Sequence, residues 1–165
     1  MKNLYPILRI YLFLLILPVV SFAKSNSPEV LLKHQDFEVS YSENGIGFFP
    51  KSGQVSWKWK LSRISGMEQI TSNVQPSVDG KDVRFYRGNI TEQYVFRGSS
   101  IEQQFIINRQ AGITGDLVIE GQIESNGDFA RVDGGWSWTN GSAKVYLGDV
   151  FVFDASGKPI PASMQ

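Results

Sequence analysis

Apolar positions recur along most of the chain every second residue, not every third or fourth. The clearest stretch is Val55-Ser56-Trp57-Lys58-Trp59-Lys60-Leu61-Ser62. Val55, Trp57, Trp59 and Leu61 share one side of an extended chain. Ser56, Lys58, Lys60 and Ser62 share the other. That alternation predicts a strand with one buried and one wet face. Phe37 to Tyr41 alternates in the same way, and Ile46 to Phe49 follows it after Glu43-Asn44-Gly45. Asn-Gly between two strand-like runs predicts a hairpin.

Further strands are expected over Asp82 to Tyr86, Thr91 to Phe96, Ile101 to Ile107, Leu117 to Ile123, Trp136 to Thr139, Ala143 to Leu147 and Asp149 to Phe153. Arg97-Gly98-Ser99-Ser100 predicts the hairpin turn between two of these, and Ser125-Asn126-Gly127-Asp128 ends another. Turn residues recur roughly every 8–12 positions, the spacing of an all-β sandwich or barrel. Met67 to Gly80 is the least legible stretch. Beyond the N-terminus no segment carries an apolar stripe at helical spacing, so no helix longer than about two turns is expected. The predicted fold is all-β, an antiparallel β-sandwich or open barrel after an N-terminal signal helix.

The N-terminus reads differently. Met1 to Arg9 carries Lys2 and Arg9 and no acid, and Ile10 to Val20 is almost wholly apolar. Ser21-Phe22-Ala23 then places small residues three positions and one position before a cut. A basic start, a short apolar run and a small-residue site make a secretory signal peptide cleaved after Ala23. Arg9 and Pro18 bound an apolar run shorter than the roughly 20 residues that span a bilayer. The expected organisation is a signal peptide over 1–23, a flexible start over 24–30 and one all-β domain over 31–165. Export to the periplasm or the exterior follows, with no membrane span after cleavage.

Composition narrows the function classes. The chain has 16 Lys+Arg and 16 Asp+Glu, and loss of Lys2 and Arg9 leaves the mature part slightly acidic. No basic patch or stripe is present, so nucleic acid is not an expected partner. There is no cysteine. That excludes a disulfide scaffold in an exported chain, and acylation of a lipoprotein cysteine. Aromatics at 13% must supply much of the core. This composition suits a bacterial exported protein.

Parts of the second half resemble a known family. Thr91-Glu92-Gln93-Tyr94, Gly98 to Phe105, Gly115-Asp116-Leu117-Val118-Ile119 and Tyr146 to Ala162 occur in this order. The closing segment reads Tyr146-Leu147-Gly148-Asp149, then Asp154-Ala155-Ser156-Gly157-Lys158-Pro159-Ile160-Pro161-Ala162. Together they resemble an N-terminal β module of large bacterial exported proteins that carry FG-GAP, SBBP or Kelch-type repeats downstream. The resemblance implies strands and turns over about residues 83–162. It implies no chemistry and no site residues.

Candidate chemistry is sparse, and no catalytic residue, metal site or cofactor is expected. His34 is the sole histidine, too little for a histidine or thiolate zinc site or for a triad. Glu92 and Glu102 lie on adjacent predicted strands and invite the carboxylate-pair reading of a glycosidase. Strand carboxylates more often pair with a cross-strand base, here Arg97 or Arg84. Asp79, Asp82, Asp128, Asp133 and Asp154 sit in glycine-rich turns without the acid density of a calcium loop.

Trp57 and Trp59 share a face with aliphatics and are expected in the core. Trp136 and Trp138 are flanked by glycines, Ser137, Thr139 and Asn140, with no aliphatic neighbour on their face. An aromatic pair on an exposed β surface would stack on a sugar or seat a protein partner. These two are therefore the candidate ligand-binding residues, against the alternative that they plug one end of the fold. The expected function is a non-enzymatic binding, adhesion or structural module, with a protein or carbohydrate partner. The alternatives are a small carboxylate-dependent hydrolase and a periplasmic carrier of an apolar ligand.

Overall fold

The computed structural model describes residues 8–12, 29–65, 71, 73–107 and 115–165. None of these residues is helical, and every sheet is open. The fold is all-β, as the period-two pattern predicts, and antiparallel except for its first strand.

Among the described residues, fifteen strands form four sheets. The largest contains β1 (Leu8–Leu12), β10 (Leu117–Ser125), β5 (Trp57–Ser65), β4 (Gly45–Pro50), β3 (Phe37–Ser42) and β2 (Val30–Lys33), in that spatial order. The second runs β6 (Ser77–Asp79), β7 (Asp82–Tyr86), β8 (Ile90–Phe96) and β9 (Ile101–Ile107). The third runs β11 (Asp128–Val132), β12 (Gly135–Asn140) and β13 (Ala143–Gly148). A short pair, β14 (Val152–Phe153) and β15 (Pro159–Ile160), ends the chain.

β5 shows how the alternation works and where it breaks. Trp57, Trp59 and Leu61 are buried while Lys58 and Lys60 are exposed. Leu61 lies opposite Gly121 and Arg63 opposite Glu120, so Ser62 is an extra residue in the ladder. Its hydroxyl donates to the Glu120 carbonyl at 3.1 Å. This bulge shifts the phase by one and returns Ile64 to the buried side, 6% exposed. Gly121 is required here for a different reason. A Cβ at this position would lie 1.9 Å from the Trp59 ring, so the indole lies across bare backbone.

The β3–β4 hairpin forms at the expected place, with Ser42 opposite Gly45. Glu43 and Asn44 make the turn, and Gly45 takes the positive φ of 105° at its exit. The glycine thus serves the strand entry, and not the centre of an Asn-Gly turn. A Cβ there would lie 2.0 Å from the Trp59 carbonyl oxygen.

Rings bring the two larger sheets together. Tyr41 meets Tyr94 edge-on at 5.3 Å, and Phe37 lies 6.1 Å from Phe96. The third sheet docks through Trp57 and Trp138, at 5.8 Å in a T-shaped contact. Asn126 secures the same junction. Its side chain accepts from Ser56 N–H and donates to the Gln54 carbonyl, both at 2.7 Å.

Two sequence-based expectations change. Leu8–Leu12, inside the expected signal helix, is extended and runs parallel to β10, with Leu8 opposite Leu117. A short apolar run containing Ile10 and Tyr11 fits a strand as well as a helix, because periodicity does not separate the two. The rest of the expected signal peptide, Ala23 included, lies outside the described residues. Asp149 to Phe153 contributes a strand only over Val152–Phe153. Among the described residues no helix is long and apolar enough to cross a membrane.

Candidate functional site

The most concentrated polar chemistry lies between the sheets and centres on Glu92. On β8, Ile90, Glu92 and Tyr94 point the same way, and all three are buried. Glu92 is 1% exposed and stands between Phe85 on β7 and Phe105 on β9. Burying a carboxylate requires compensating donors. Four converge here. Tyr94 Oη donates to Oε1 at 2.6 Å, Gln103 Nε2 at 3.0 Å and Trp59 Nε1 at 3.4 Å. Arg87 Nε donates to Oε2 at 2.9 Å.

Arg87 is itself 4% exposed. Its backbone N–H closes the β7–β8 turn on the Ile90 carbonyl, so the turn aims the side chain inward. The guanidinium lies over the Phe85 ring at 5.2 Å, a cation–π contact. Nη1 reaches the Thr71 carbonyl at 3.4 Å. Gln103 also donates to Tyr94 Oη at 3.0 Å. The cluster therefore links β5, β8, β9 and the β7–β8 turn.

Burial pushes the Tyr94 hydroxyl well above its ordinary range, and the adjacent Glu92 carboxylate pushes it the same way. Burial also raises Tyr41, with Asp82 adding to the effect. Both phenols thus stay protonated, and Tyr94 acts as a donor to Glu92. A tyrosine pKa raised on folding contributes stability that is full below about 10 and lost as pH rises through the folded value. Tyr41 and Tyr94 are expected to ionise only with the cooperative loss of near-ultraviolet circular dichroism. An alkaline titration followed at 295 nm that ionised either one in the intact fold would overturn this.

The proposed carboxylate pair does not form. Glu102 lies opposite Val95, on the other face of the sheet from Glu92. It pairs with Arg97 at 2.7 Å in solvent. The Gln104 amide first, then Arg97, hold its carboxyl below the usual range. Arg84 serves Asp79 at 2.9 Å and Asp82 at 4.0 Å, and not Glu92. One β-strand face cannot present Glu92 and Glu102 together, because their positions differ in phase.

Trp136 and Trp138 are buried, 8% and 2% exposed, as in the alternative that they plug part of the fold. Trp138 is closed in by Trp57 and by Phe129, whose ring lies 5.5 Å away. Phe129 also meets Trp136 at 5.8 Å. Besides each other, their ring partners come from β5 and β11. Trp57 Nε1, buried in the same cluster, finds no acceptor among the described residues.

His34 stacks near Phe37 and Phe96, at 4.7 and 5.4 Å. Among the described residues no three His, Asp or Glu side chains are grouped as metal ligands. Asp154 instead organises its own turn, where Oδ1 accepts from Ser156 N–H, Ser156 Oγ and Lys158 N–H. The chain matches no protein-family model, no curated protein and no solved structure.

Glu92 was legible only as half of a pair. The stronger signal was its phase, because it shares a face with Ile90, Tyr94 and Phe96. A carboxylate in step with an apolar face requires a buried base. Arg87 supplies it from a turn, five residues back in the chain.

Proposed function

We propose that the chain is an exported, non-enzymatic β-sandwich module that binds a protein or carbohydrate at the cell envelope or outside the cell. The carrying observation is the placement of Phe151 and Phe153. They are 78% and 61% exposed, while Val152 between them packs against the core. Large apolar side chains held in solvent on an ordered hairpin are a common mark of a contact surface. The basic N-terminal segment with its apolar run and Ala23 supports export, as does the resemblance of about residues 83–162 to modules of exported repeat proteins.

The enzyme reading is weaker, because Glu92 is consumed by four internal donors and Glu102 faces the other way. The carrier reading is weaker too, because Tyr41, Phe85 and Tyr94 fill the space between the sheets with mutual ring contacts.

Expression of the full chain in a bacterial host, followed by fractionation and intact mass, tests export. The expected product begins at Lys24 and lies outside the cytoplasm. An uncut cytoplasmic product sinks that part. Binding is tested by co-sedimentation with purified envelope material. The wild type is expected to sediment, and a Phe151→Ser, Phe153→Ser variant with an unchanged thermal melt is expected to stay in solution. Equal behaviour of the two proteins rules out this surface.

A further inference from the structure

Among the described residues, β9 is an edge that lacks the usual protection. Natural edge strands carry a lysine or proline, a bulge, or very few residues, which blocks pairing with another chain. The other edges follow that rule. β2 ends in Lys33, β13 carries Lys144, β6 has three residues, β11 carries Asp128 and Arg131, and β10, the edge left once the segment before Lys24 is removed, has a register shift at Glu120 and Gly121. β9 reads Ile101-Glu102-Gln103-Gln104-Phe105-Ile106-Ile107 and ends its sheet. It has no lysine, no proline and no register shift against β8. Its one charge, Glu102, is already paired with Arg97.

The described residues also leave the inner side of this strand incompletely covered. Ile90, Glu92 and Tyr94 on β8 are buried, whereas Ile101, Gln103, Phe105 and Ile107 beside them are only half-buried. Ile106 on the outer side is 41% exposed. One more strand alongside β9 would cover the inner row and satisfy the outward backbone groups.

We propose that this strand is the β9 of a second copy, paired antiparallel about a two-fold axis through Gln104. Such an axis, perpendicular to the sheet, keeps inner faces together only when it passes through a residue, because opposite side chains in a ladder share a face. Centring on Gln104 engages all seven residues of the strand. Ile101 then lies opposite Ile107, Gln103 opposite Phe105, and the two Gln104 amides face one another. Glu102 lies opposite Ile106, so the two carboxylates stay apart and neither is stripped of Arg97. The four-stranded sheet becomes one sheet of eight across the dimer. This proposal is independent of the Phe151 and Phe153 surface and stands or falls without it.

The cysteine-free chain makes the register testable. The full purified protein is expected to run as a dimer in light scattering across a concentration series. Gln104→Cys places two thiols directly opposite, with Cα atoms about 4.5–5.5 Å apart, within disulfide reach. Glu102→Cys places its own symmetry mate four residues along, about 13 Å away. Oxidation is expected to cross-link the first at least tenfold faster than the second. Gln104→Lys puts two ammonium groups face to face and is expected to weaken the dimer at least tenfold, with an unchanged circular dichroism melt confirming that the fold survives. A monomer at every concentration overturns the proposal. So does a dimer that Gln104→Lys leaves intact, or one in which both cysteine variants cross-link alike.

Discussion

Glu92→Leu is expected to destabilise the protein by about 3–5 kcal/mol, the range for removing one partner of a buried ion pair. The loss is not that of one good contact. Leucine removes the acceptor for four donors at once, those of Arg87, Tyr94, Gln103 and Trp59. Arg87 keeps its charge and is only 4% exposed, so it cannot rehydrate without opening the turn that holds it. Among the described residues, the Phe85 face and the Thr71 carbonyl are what remains to compensate it. The double variant Glu92→Leu, Arg87→Met removes the stranded charge together with its partner. It is expected to be clearly more stable than Glu92→Leu alone, because a matched apolar replacement of a buried pair is often close to neutral. Urea unfolding of wild type, both single variants and the double variant closes the cycle. A single-variant cost under about 1 kcal/mol would place the pair in the class of solvated surface bridges and sink the argument.

The same cluster explains what could and could not be read along the chain. Strict alternation over Val55 to Leu61 located β5 and its buried face, because one side of the strand is covered and the other faces solvent. Asn44-Gly45 located the β3–β4 hairpin, although the positive φ falls at Gly45 and not within the two turn residues. β11 was invisible because Asp128 to Arg131 is exposed throughout, so no buried face imposes a pattern. The bulge at Ser62 and the notch at Gly121 depend on pairing between strands some sixty residues apart, which a local pattern does not encode.

The burial of Trp136 and Trp138 was hidden for a related reason. Trp136 and Trp138 were judged by their neighbours on one strand, where no aliphatic residue shares their face. Their actual partners, Trp57 and Phe129, come from two other strands. Exposure of an aromatic on a β-strand is decided by what covers the sheet, a tertiary fact. The aromatics left in solvent, Phe151 and Phe153, looked like ordinary positions of a terminal strand. They alternate with Val152, which packs against the core, and so lie on the side away from it.

Trp138→Ala is therefore expected to act on stability and not on ligand capture. The expected cost is about 3–5 kcal/mol, that of truncating a fully buried large aromatic. The indole is 2% exposed and touches rings on β5, β11 and its own strand. It makes the ring contact between the third sheet and β5, alongside the polar ties from Asn126 and from Ser142 to the Ser52 carbonyl. Loss of the ring should thus loosen the third sheet before the rest. Hydrogen exchange is expected to show β12 and β13 amides losing protection while β3 and β8 amides keep theirs. Thr139→Ala, one residue along and exposed, is the control and should change stability by no more than about 0.5 kcal/mol. If Trp138→Ala were as mild as Thr139→Ala, the indole would not be the tie between these sheets, and an exposed, ligand-facing role for it would have to be reopened.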